Sequence, residues 1–135
     1  MITRYGPATT ALALNARKMS DWSAEDEPIQ IETLEDLRDI EIQHGGGALI
    51  VERVSEGALL TISLQPGTPD SAWASGLYKS GELVEGQLVT FGTGEKIILS
   101  GGVFTKFGNV GRGFKPSYDT YQIKFTKFIA IMGGE

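Results

Sequence analysis

The hydrophobic and polar positions of this chain alternate over most of its length, the period expected of half-buried strands. The clearest case places Leu60, Ile62 and Leu64 on one side and Thr61, Ser63 and Gln65 on the other. Ile29-Gln30-Ile31-Glu32 has the same period, and Ala11 to Asn15 alternates in size as a first strand. From Leu34 to Ile42 the pattern is twofold: Leu34, Leu37 and Ile40 have helical spacing, whereas Ile40 and Ile42 suit a strand. Extended structure is favoured because Ala48 to Val54 follows as a strand across Gly45-Gly46-Gly47, where glycine takes positive φ without steric cost. Glu56-Gly57 turns the chain again.

The pattern then changes. Thr68-Pro69-Asp70 is a helix start: a side-chain cap, a proline at the first helical position, and a carboxylate near the positive end of the dipole. Trp73, Gly76 and Leu77 are expected on one face of that helix, which should end near Ser80-Gly81. Beyond it, Gln87 to Phe91 and Glu95 to Leu99 flank Gly92-Thr93-Gly94 as a hairpin, and Gly102 to Phe107 is a further strand. Lys106 to Pro116 is rich in glycine and long enough to read as a projecting loop. Tyr121 to Phe125 alternates and continues towards Met132, with Lys127 and Phe128 breaking the alternation as a bulge or a covered face would. The expected fold is mainly β: one domain over residues 1–135, an antiparallel β-sandwich or barrel with a single flanking α-helix at about residues 69–80 and a long loop at 106–116.

Composition narrows what such a domain does. A chain of 135 residues with 41% hydrophobic residues can bury roughly two thirds of its unfolded surface. There is no cysteine, which removes disulfides, zinc-thiolate sites and thiol catalysis. No apolar run approaches the roughly 20 residues that span a bilayer, and the first fifteen residues lack a continuous apolar core, so neither a membrane partner nor a signal peptide is expected. The net charge of −5 argues against tight non-specific binding of nucleic acid. Charge is also segregated. Asp21 to Glu41 is crowded with carboxylates and offset only by Arg38, whereas basic residues dominate from Lys96 onward. Two oppositely charged regions attract within one fold or across copies of it.

No chemistry emerges from the polar residues. His44 is the only histidine and has no partner in the sequence, so no transition-metal site is expected. Glu25-Asp26-Glu27 is read as a solvated acidic loop, lacking the spacing and central glycine of a calcium loop. Gly92-Thr93-Gly94-Glu95-Lys96 lacks the Lys-Ser/Thr ending of a phosphate loop, and Gly108 to Gly113 lacks the strand–turn–helix setting of a dinucleotide site. Trp73, Leu77 and Tyr78 are expected in the core rather than on a ligand platform. Catalysis, cofactor and metal are therefore all expected to be absent.

The run from Gly45-Gly46-Gly47 to Tyr78 resembles the tail tube proteins of contractile-tailed phages and related particles. The likeness lies in a glycine turn before an apolar strand, in Glu56-Gly57-Ala58-Leu59-Leu60-Thr61-Ile62-Ser63-Leu64-Gln65, and in Gly67-Thr68-Pro69-Asp70-Ser71-Ala72-Trp73 opening a helix. The glycine-rich hairpin and the aromatic strand ending at Phe125 extend it over most of residues 40–128. The resemblance implies a structural protein that stacks on itself as hexameric rings. The resulting hollow conduit would let DNA pass without specific binding. It also implies sheath, tape-measure and baseplate partners, and a place in the tail of a virion made in the host cytoplasm. Phe107, Arg112, Phe114 and Lys115, all in the 106–116 loop, are the expected subunit contacts. Two alternatives remain: the inner tube of a secretion or bacteriocin-like contractile machine, and a small β-barrel module that binds a ligand or peptide.

Overall fold

Antiparallel pairing joins almost every strand to its neighbours. In the computed structural model, which describes residues 10–20, 22–23, 28–90, 94–109 and 118–132, the strands are β1 (Thr10–Leu14), β2 (Arg17–Lys18), β3 (Ile29–Thr33), β4 (Arg38–Ile42), β5 (Ala48–Glu52), β6 (Ala58–Leu64), β7 (Val84–Thr90), β8 (Glu95–Asn109) and β9 (Asp119–Ile131). The one helix among the described residues, α1 (Pro69–Ser80), falls between β6 and β7. Seven strands form one sheet in the order β2-β1-β7-β8-β9-β6-β3, and β4 and β5 form a separate ribbon. The fold is mainly β with one flanking helix, as the alternation and the capping residues predict.

The large sheet curls on itself, and the chain's own length proves it. The strands β2 and β3 stand at opposite ends of the order, six steps apart, which is about 29 Å in a flat sheet. Yet Trp22, only four residues after Lys18, bridges to Leu64 beside β6, in line with β3, and four residues reach at most about 14 Å. Ser23 N–H confirms the position by donating to Ser63 O at 3.1 Å. The two margins of the sheet must therefore face each other across a common interior.

That interior is filled from both sides. Leu12, Leu14, Leu60, Ile62, Leu64, Leu99 and Ile123 are completely buried, and each such side chain contributes about 1.5–3 kcal/mol of transfer free energy. In β6 the alternation holds as read, with Leu60, Ile62 and Leu64 inward. Tyr121 and Phe125 of β9 bring aromatic bulk to the same core.

The helix closes the body. Thr68 caps it, its side chain accepting from Ser71 N–H, and Gly81 ends it with φ 71°. Its buried stripe is Asp70, Ser71, Ala74 and Leu77, not Trp73, Gly76 and Leu77 as spacing alone suggests. Gly76 is exposed, and Trp73 packs only against the margin of the core. Polar groups decide this rotation. Ser71 Oγ donates to Asp119 Oδ2 at 2.6 Å, and Tyr121 OH donates to Ser71 O at 3.1 Å. Asp70, also buried, accepts from Arg17 Nη2 at 2.9 Å and from Ser20 N–H at 2.7 Å. The Arg17 guanidinium in turn lies 5.4 Å over the Trp73 ring. Polar side chains placed inward are tolerated where they are bonded, and here their bonds fix which face of the helix turns in.

Three further departures have local causes. The strand β2 was not foreseen: a tight turn with Asn15 at φ 50° and Ala16 at φ 66° folds Arg17–Lys18 back on β1. Asn15 helps hold that turn by accepting from Glu85 N–H at 2.9 Å. The separate strands expected at 95–99 and 102–107 are one strand, β8, because Gly101 takes φ 65° and bends the chain without ending it. The alternation break at Lys127 and Phe128 is real, but it is not a register bulge. Pairing runs unshifted from Lys96↔Ile131 to Phe104↔Ile123, and the shifts lie further on, at Phe104/Lys106 and Phe107/Asn109. Both strands instead change phase together at Gly101 and Thr126. Gly102 and Phe125 are buried on one side of that point; on the other Leu99 is buried and Phe128 half-buried against the core.

Candidate assembly surfaces

The ribbon of β4 and β5 stands apart from the core. Its register pairs Arg38 with Glu52, Ile40 with Ile50, and Ile42 with Ala48 on one face. Asp39 with Val51, and Glu41 with Leu49, occupy the other. Every one of these positions except Asp39 is exposed. Ile40 is 67% exposed, Ile42 85% and Ile50 59%. Both faces thus present aliphatic side chains to solvent, and a two-stranded ribbon of this kind is marginal in water by itself.

What holds the ribbon is a clamp at its base. Arg53 donates to Asp39 Oδ2 at 2.8 Å and to Asp36 O at 2.6 Å, and pairs with Glu35 at 3.0 Å. The hydrogen bond to Asp39, followed by that residue's charge, raises the guanidinium pKa above its already high ordinary value. At the tip, Gln43 N–H donates to Gly47 O at 2.8 Å, and Gly46 turns the chain with φ 88°. The ribbon is held by its own ladder and by bonds at its two ends, and among the described residues no core lies beneath it.

A second uncovered surface lies where β8 and β9 run past the phase change. The pairs Lys96↔Ile131, Ile98↔Ile129 and Ser100↔Lys127 point away from the buried Leu99. Ile98 is 37% exposed, Ile129 57% and Ile131 56%. An aliphatic strip therefore runs across two strands with a lysine at each of two opposite corners. Contiguous exposed apolar surface of this sort marks contact sites.

The residues expected to make subunit contacts fare differently. Phe107 does not project from a loop. It belongs to β8, its ring 4.4 Å from that of Tyr121 and set edge-on to Tyr78 at 6.0 Å. Because β9 supplies a partner strand as far as Asn109↔Thr120, the first part of the expected 106–116 loop is ladder, and Phe107 packs against the core. Arg112, Phe114 and Lys115 lie outside the described residues. Sequence reasoning missed the ribbon and the β8–β9 strip as surfaces. Alternation shows which residues share a face, not which face is left uncovered.

Among the described residues no three His, Asp or Glu side chains converge to hold a metal ion. No described helix is long and apolar enough to cross a membrane. Recesses among the described residues include open depressions over strands. One of them, lined by Ala13, Gln87 and Ile98 among others, adjoins the β8–β9 strip.

The sequence matches no protein-family model and no curated protein. The fold does have a counterpart: Hcp1 from Flavobacterium johnsoniae superposes with a TM-score of 0.52 over 93% of this chain and 96% of that one, at 13% identity. The two chains share a fold. At that identity the likeness concerns architecture alone, and it spans nearly the full length of both chains.

Proposed function

We propose that this chain is the tube-forming subunit of a contractile injection system, a structural protein without catalysis of its own. Copies stack as hexameric rings into a hollow conduit. The observation that carries this reading is the tail-tube-like fold over 93% of the chain. Two uncovered apolar surfaces on one small body support it, since a chain whose two different surfaces recognise each other builds rings or filaments rather than closed pairs. Its partners in this reading are further copies of itself, with sheath, tape-measure and baseplate proteins around them. In a phage tail the conduit passes DNA, whose backbone an acidic subunit does not hold, and the protein resides in the virion tail after synthesis in the host cytoplasm. In a secretion or bacteriocin-like machine the same subunit forms the inner tube.

Sedimentation over a concentration series, with negative-stain imaging of the same samples, tests this directly. Rings or tubes of uniform width are expected. A compact monomer at every concentration, with a melting shift on adding a ligand or peptide, would point instead to a β-barrel binding module.

A further inference from the structure

We infer that the β4–β5 ribbon of one copy docks on the β8–β9 strip of the next, with the face bearing Glu41, Leu49 and Val51 laid across Ile98, Ile129 and Ile131. This rests on the self-stacking reading above and names the two surfaces that meet. The chemistry selects this pairing in two ways. Both surfaces are aliphatic and exposed, so each removes from water what the other leaves uncovered. They are also opposite in charge. The ribbon and its base carry Glu35, Asp36, Asp39, Glu41 and Glu52, against Arg38 and Arg53. The strip carries Lys96 and Lys127 at its corners.

Within the ribbon, Asp39 is committed to Arg53 and Glu52 to Arg38. Glu41 forms no ion pair among the described residues, and it lies on the same face as Leu49 and Val51. The Glu41 face thus joins an uncommitted carboxylate to aliphatic neighbours, the complement of an aliphatic strip flanked by lysines. A ribbon packed on another ribbon would instead set like charges against each other. The two surfaces are different parts of one chain, so the contact is head to tail and repeats from copy to copy.

The chain has no cysteine, which makes disulfide trapping clean. In the Leu49→Cys/Ile129→Cys double variant, mild oxidation should give a ladder of covalent species extending past the dimer, because each copy offers both partners. Each single variant should stay monomeric on a denaturing gel. A Leu49→Cys/Lys79→Cys control, which moves the second thiol to the exposed end of α1, should give no ladder. Dimers from Leu49→Cys alone would show ribbon meeting ribbon and overturn the inference, as would a double variant no better than the control.

Charge exchange supplies a second readout. Glu41→Lys and Lys127→Glu should each raise the concentration needed for assembly about tenfold, and the combined variant should recover most of that loss. Equal assembly by all three would contradict the contact. Tubes without a ladder would remove this contact and leave the tube reading intact. A ladder without tubes would keep the contact and remove the tube.

Discussion

In β6 and β9 the paired side chains Leu60–Ile123 and Ile62–Tyr121 turn into a closed interior, whereas in β4 and β5 the pairs Ile40–Ile50 and Ile42–Ala48 face solvent. The two regions share composition and period and differ in what lies above them. The body satisfies itself: its sheet curls until its margins meet, and α1 is bonded across Asp70, Ser71 and Tyr121. Among the described residues the ribbon is held by its own ladder, the exposed Arg38–Glu52 pair, the Arg53 clamp and its turn. Alternating apolar side chains do not make a core unless something covers them, and among the described residues nothing covers the ribbon.

If the body is self-sufficient and the ribbon is not, damage to each should be felt in different places. The largest loss of stability is expected from Leu60→Ala, which empties a completely buried site. Thermal or urea unfolding should show about 2–5 kcal/mol less stability. Next comes Gly102→Ala, whose new Cβ overlaps the buried Phe125 ring. An overpacking cost of about 1–3 kcal/mol is expected, measured in the same way. Smaller and opposite in sign is Ala16→Gly. Ala16 holds φ 66° with a side chain that disfavours it, so glycine should add about 1 kcal/mol and raise the melting temperature by a few degrees. The smallest effect on folding is expected from Leu49→Ser with Val51→Ser, two exposed positions on the docking face of the ribbon, within about 0.5 kcal/mol of the parent. That same pair should abolish assembly in sedimentation. A ribbon variant that melts the monomer as severely as Leu60→Ala would erase the distinction between the two regions.

Much of the body was legible because local rules and global packing agree there. The run of Leu60, Ile62 and Leu64 needed only a period of two, and Thr68-Pro69 with Gly81 fixed both ends of α1. Where polar bonds override the apolar pattern, the reading failed. Ser71 and Asp70 turned inward because Asp119, Tyr121 and Arg17 waited for them, and partners about fifty residues away leave no local signal. The unity of β8 was hidden by Gly101, which looks like a break and acts as a bend. The contact surfaces were the least legible. The loop around Arg112 was favoured for its length and charge, and the 110–117 segment lies outside the described residues. Nothing in the alternation marks Ile40, Ile42 and Ile129 as exposed, and only their position in the fold shows them uncovered.

Hydrogen exchange followed by mass spectrometry, comparing dilute chain with assembled material, tests most directly whether the ribbon is completed by another copy. Peptides from the body, β6 through β9, should be protected in both states, while peptides spanning residues 34–56 should exchange fast when dilute and slow markedly on assembly. Exchange in 34–56 that is already slow in the dilute chain, or unchanged when copies associate, would contradict the account.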